Sequence, residues 1–102
     1  MNKEHKIKSL WEAMLILGIT KIDLVEDRYK MHKEEWKRYI KVFVKIAYNE
    51  LNLTYSQISE QLKMRESSSY YYQNEDKYLD KEWVNKVTKR YKFLSGIESL
   101  TT

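Results

Sequence analysis

Thr54-Tyr-Ser-Gln-Ile-Ser-Glu-Gln-Leu-Lys-Met-Arg-Glu-Ser-Ser-Ser-Tyr-Tyr-Tyr-Gln73 is the stretch that decides the fold. It opens with a capping signature. Gln57 follows Thr54 by three residues, so the threonine hydroxyl can accept from the Gln57 backbone while the glutamine side chain reaches back. Ile58 and Leu62 stand one helical turn apart and anchor a short helix that ends near Lys63. A tight connection at Met64 and Arg65 leads to a second short helix over Glu66–Gln73. Ser67, Ser68 and Ser69 are mediocre in a helix interior but suit a first turn, where hydroxyls meet unpaired backbone N–H groups. Two short helices, a tight connection and small polar residues at the start of the second make a helix-turn-helix.

Working outward, the segment from about Lys33 to Leu51 carries Trp36, Tyr39, Ile40, Phe43, Val44, Ala47 and Leu51 at helical spacing. These trace a continuous apolar face. Lys37, Lys41 and Lys45 repeat every fourth residue and so line up on another face. Asn52 and Leu53 break this helix from the next. Upstream, Ile7, Leu10, Trp11, Met14 and Leu17 form the stripe of a first helix over about Lys3–Leu17, with Gly18 as its stop. The segment Asp23–His32 is ambiguous; Asp23 could cap a short helix carrying Leu24, Tyr29 and Met31. Downstream, Asn74–Asp76 reads as a loop. Asp80 caps a last helix whose stripe is Trp83, Val84, Val87, Tyr91 and Leu94, with Gly96 after it. The tail Ile97–Thr102 is expected to fray. Trp11, Trp36 and Trp83 fall on apolar stripes and are assigned to the core. So are Tyr70 and Tyr71, which leaves Tyr72 as the exposed tyrosine of the three.

The bulk numbers agree with this organisation. A chain of 102 residues gives one domain with one core. Three Trp and nine Tyr are too many for a disordered chain. No proline and only two glycines leave few breakers, which disfavours a sheet-rich fold. The expected fold class is a single all-α domain of about five helices.

With no cysteine, disulfides and cysteine-ligated metals are excluded. His5 and His32 share no ligand-like spacing, so no metal or other cofactor is expected. No triad, phosphate loop or metal cluster points to catalysis. No run approaches the roughly 20 apolar residues of a membrane span. The basic N-terminus lacks a cleavage site and has Glu12 in its apolar run, so it is read as an amphipathic helix of a cytoplasmic protein. Fifteen lysines against four arginines suit an A·T-rich genome, such as that of a low-G·C bacterium, a phage or a mobile element.

Net charge is a modest +4, so its distribution carries the argument. Trp36–Tyr48 holds Lys37, Arg38, Lys41 and Lys45 and no acid. The last helix holds Lys86, Lys89, Arg90 and Lys92. In a helix-turn-helix the second helix enters the major groove and its N-terminal residues meet base edges and phosphates. Serines are short there, and they both donate and accept.

The run Ile58-Ser-Glu-Gln-Leu62-Lys-Met-Arg65-Glu66-Ser67-Ser68-Ser69-Tyr70 resembles the C-terminal DNA-binding domain of the bacterial replication initiator DnaA. That family carries Ile-Gly-x-x-Phe-Gly-x-Arg-Asp-His-Ser-Thr-Val in this register. Ala47-Tyr-Asn-Glu50-Leu51 resembles its preceding helix, so the resemblance spans about residues 41–76. It implies that Arg65 lies in the base-reading region, with Glu66 at the family's aspartate and Ser68 and Ser69 at its Ser-Thr pair. Ser67 replaces the histidine, and Ser59 and Lys63 replace both glycines. No glycine-rich phosphate loop is present, so an initiator ATPase is excluded.

The expected partner is double-stranded DNA, in replication or transcription control. Arg65, Ser67, Ser68, Ser69 and Gln73 are expected at the major groove. Lys63, Lys41, Lys45 and the cluster of Lys86, Lys89 and Arg90 are expected on phosphates. The alternative is an interaction protein that binds a replication or transcription factor. The oligomeric state stays open.

Overall fold

The apolar face over Lys33–Leu51 becomes the axis of the molecule. In the computed structural model, which describes residues 3–96, it forms α2 (Lys33–Asn49). Around it stand α1 (Lys3–Met14), α3 (Tyr55–Leu62), α4 (Glu66–Asn74) and α5 (Lys81–Leu94). No strand occurs among the described residues, and the fold is all-α.

α2 touches each of the other four helices. Its residues 40–44 are all buried, so mid-length it is enclosed all round rather than along one stripe. Phe43 lies at this centre, with the Trp11 ring against it at 4.2 Å between centroids. Tyr39 stacks on Trp83 at 4.8 Å and ties α2 to α5. Leu10, Met14, Leu24, Ile58, Leu62, Val87 and Tyr91 complete the core.

Local signals place the boundaries. Gly18 ends the 3-10 turn Leu15–Leu17 in the left-handed region, at φ 74°, where a Cβ would be unfavourable. Asp80 accepts from Trp83 N at 3.1 Å and starts α5 as expected. α2 stops at Asn49, two residues short of expectation, and the chain turns at Asn52 with φ 57°. Asparagine tolerates that conformation because its side chain can bond locally.

The ambiguous segment is a π-helical turn (Ile22–Glu26) followed by a 3-10 turn (Arg28–Lys30). Its start is fixed by Thr20 rather than by Asp23 alone: Asp23 N donates to Thr20 Oγ1, and Thr20 N donates to Asp23 Oδ2, both at 3.1 Å. Leu24 is buried, whereas Tyr29 is exposed. Of the tryptophans assigned to the core, all three sit at its edge, half-buried. Trp36 lies in the first turn of α2, not at its centre. Its indole N–H donates to Leu24 O at 2.8 Å, which pins the irregular segment to α2. The tail Ile97–Thr102 lies outside the described residues.

Candidate nucleic-acid interface

The helix-turn-helix is assembled from short-range bonds. Thr54 Oγ1 accepts from Gln57 N at 3.1 Å, and Gln57 Oε1 accepts from Thr54 N at 2.9 Å, which completes the capping box. α3 ends at Lys63, whose backbone is left-handed (φ 50°, ψ 51°), and Arg65 begins α4 in an extended conformation. Between the two helices Ser59 and Ser69 meet, Oγ to Oγ, at 2.6 Å. Ser59 Oγ also donates to Arg65 O at 3.1 Å. A hydroxyl has one proton, so Ser69 is the donor in the serine pair. Both serines are buried, and this contact fixes how α4 lies on α3.

That contact, together with the packing of Tyr72 against Trp36, decides which face of α4 looks outward. Ser69 faces α3, so it cannot reach a groove, contrary to expectation. Gln73 is turned inward as well; its Nε2 donates to Asn49 Oδ1 at 3.5 Å on α2. The outward stripe is Ser67, Tyr70, Tyr71 and Asn74, all exposed and at helical spacing. The tyrosine assignment is therefore reversed. Tyr70 and Tyr71 are 57% and 53% exposed, while Tyr72 is half-buried edge-on to Trp36 at 6.1 Å. Arg65 is exposed at the head of α4, and Ser68 is half-buried on its flank.

The expected phosphate-contacting lysines divide sharply. Lys41 is buried at 2% exposure, and its ammonium donates to Lys77 O. Burial holds its pKa below the ordinary lysine value, against the pull of Glu75. Lys45 is also committed: it donates to Gln73 O at 2.5 Å and pairs with Asp76 at 2.9 Å. Neither ammonium is presented to a ligand, because both long stems fold inward over α4 and the connection after it. Lys63 is exposed beside α4, 3.7 Å from Glu26. Lys86 and Lys89 are exposed on α5, Lys86 at 3.8 Å from Glu82. Arg90 lines a groove with Glu12, Leu15, Ile16 and Leu94, on the α1 side. The α5 cations thus do not join α4 in one cleft.

One cation that does was missed. Arg28 lines a cleft with Lys63, Arg65 and Ser68, backed by Trp36 and Tyr72. Nothing in its local sequence marks it, since it sits in an acid-rich segment whose turns are irregular.

Among the described residues no cluster of His, Asp or Glu is placed to hold a metal ion, and no helix is long and apolar enough to cross a membrane. No protein-family model, curated protein or solved structure gives a significant match to this chain.

Proposed function

We propose that the protein binds double-stranded DNA in the cytoplasm through α4, in replication or transcription control. The observation that carries this reading is the outward stripe of α4, mounted on a capped partner helix with Arg65 and Lys63 at its leading end. Such a helix fits the major groove, with phenol hydroxyls and the Asn74 amide able to bond base edges, and tyrosine rings able to meet thymine methyl groups. The resemblance to the DnaA domain gains support at one residue. Lys63 adopts the left-handed backbone at a position where that family has glycine, the residue that accepts it without steric strain.

A second reading has its own observation. Tyr48 and Tyr55 stack at 5.1 Å, and Tyr70 meets Tyr55 edge-on at 5.3 Å, forming an aromatic row across three helices. Exposed tyrosines also suit a protein partner, such as a replication or transcription factor.

The test is a fluorescence-anisotropy titration on a site selected from random duplexes and on scrambled DNA. Arg65→Ala should cost about 1–3 kcal/mol on the selected site and flatten the preference at one or two base pairs. Tyr70→Ala should act in the same direction. If folded wild type binds neither duplex in low salt, the DNA reading is lost and the protein-partner reading replaces it.

A further inference from the structure

Beside α4, cations converge from segments that the sequence keeps far apart. Arg28 comes from the 3-10 turn before α2; Lys63 and Arg65 come from the α3–α4 connection. With Trp36, Ser68 and Tyr72 they line a cleft of about 500 Å³. No carboxylate lines it. Glu26 lies 3.7 Å from Lys63, but both side chains are mostly exposed, and such pairs hold weakly. Asp27, next to Arg28 in sequence, is paired instead with Lys30 at 3.7 Å.

The cleft is held open rather than collapsed. Trp36 is fixed through its bond to Leu24 O at 2.8 Å, and Tyr72 meets it edge-on at 6.1 Å. Arg28 is oriented by its neighbour: its guanidinium lies 5.3 Å from the Tyr29 ring centroid and donates to the Tyr29 hydroxyl at 3.4 Å. Three like charges around one concavity repel each other, and an anion entering it relieves that repulsion. Two guanidinium forks, an ammonium and the Ser68 hydroxyl suit an anion with several oxygens in a tetrahedral array better than a planar carboxylate.

We propose that this cleft is a phosphate-binding site and that, in the DNA complex, it holds one backbone phosphate at the flank of α4 with Arg28 as its clamp. The identity of that phosphate rests on the DNA reading; the site itself does not. Arg28 lies outside the helix-turn-helix, so the irregular segment becomes part of the binding surface.

Two titrations test this. Duplex DNA is titrated at several salt concentrations with wild type, Arg28→Gln, Arg28→Lys and Lys30→Gln, each shown to be folded by circular dichroism. Separately, inorganic pyrophosphate is titrated while the Trp36 indole N–H resonance is followed in wild type and Arg28→Gln. We expect Arg28→Gln to weaken duplex binding about fivefold to tenfold on every sequence and to reduce the log–log salt slope by about one. Arg28→Lys should keep most of that slope. Lys30→Gln removes the same charge from the same turn but outside the cleft, and should do much less. Pyrophosphate should shift the Trp36 resonance in wild type only.

If wild type binds no duplex yet pyrophosphate gives the Arg28-dependent shift, the site stands as one for a free phosphate and the DNA reading falls. The same shift with a duplex affinity indifferent to Arg28 keeps the site and refutes the backbone assignment. An Arg28-specific loss on duplex without a pyrophosphate shift supports a site for diesters. Equal duplex effects of Arg28→Gln and Lys30→Gln, or none from either, together with an unmoved Trp36 resonance, overturn the proposal.

Discussion

The serine pair between α3 and α4 offers the sharpest test of how α4 is held. Ser59→Ala leaves the Ser69 hydroxyl fully buried without its partner. A stranded buried hydroxyl costs about 1–3 kcal/mol. The lower half of that range applies, because a serine in a helix can turn its hydroxyl back to the carbonyl four residues earlier, here Arg65. Ser69→Ala is milder. Ser59 keeps its bond to Arg65 O at 3.1 Å and loses only what it accepted. The loss of about 0.5–1.5 kcal/mol is partly offset by alanine's better helix propensity. The double substitution strands no donor, so its cost should fall short of the sum of the two by about 0.5–1.5 kcal/mol. Urea unfolding of the four proteins, followed by far-ultraviolet circular dichroism, measures this coupling. Strict additivity would refute the bond and, with it, the argument that the pair sets the outward face of α4.

Four further outcomes are expected. Phe43→Ala should cost about 3–5 kcal/mol, because its ring is fully buried against Trp11; a melting temperature lowered by only a degree or two would move the centre of the core elsewhere. Thr54→Ala should cost about 1 kcal/mol through loss of the capping box, read as a lower urea midpoint, and an unchanged midpoint would deny that bond. Lys63→Gly should raise stability by roughly 0.5–1 kcal/mol, since relief of about 1–2 kcal/mol of left-handed strain exceeds glycine's entropic cost, while weakening DNA binding. Asp80 has its pKa held below the usual carboxylate value by the Trp83 backbone N–H and by Arg38, against the opposing effect of burial. The stability it adds is therefore fully present above its unfolded pKa of about 3.9 and is lost as pH falls through its lower folded pKa. Wild type should thus exceed Asp80→Asn at neutral pH and converge with it in acid, and a gap that persists in strong acid would show that the charge is not what matters.

What the sequence revealed follows the range of the interactions. The Thr54–Gln57 box, the Asp80 cap and the Gly18 stop each depend on residues within a few positions, and each was legible. The phase of α4 was not. Ser67–Ser69 and Tyr70–Tyr72 are two blocks of identical residues, so no apolar periodicity distinguishes the buried face from the exposed one. Long-range contacts set it: Ser69 on Ser59, ten residues away, Tyr72 against Trp36 and Gln73 on Asn49. Lys41 and Lys45 misled for another reason. Lysine reads as surface, yet its four-carbon stem lies along apolar neighbours and delivers an ammonium to a distant carbonyl. Arg28 carried no signal, because its place in the cleft depends on the Trp36–Leu24 bond, which no local pattern encodes.

The two inward lysines bear on the proposed interface through the far end of α4. Lys45 bonds the Gln73 carbonyl in the last turn of that helix, and Lys41 bonds Lys77 O just beyond it. A cation at a helix C-terminus satisfies carbonyls that lack intrahelical partners and opposes the negative end of the helix dipole. The leading end of α4 is treated differently: no side chain caps it, and the nearby cations are those of the open cleft. Glu66 in the first turn favours the dipole at that end, while Lys63 and Arg65 oppose it. One end of the helix is thus satisfied within the fold, whereas the other sets Lys63 and Arg65 against Glu66 in the first turn, beside a cleft that no carboxylate lines. On the proposed reading, this asymmetry would let a chain of net charge only +4 direct an anionic ligand to one place. The α2 cations expected to face DNA act on the orientation of the helix that would read it, while the cation that completes the cleft comes from outside the motif.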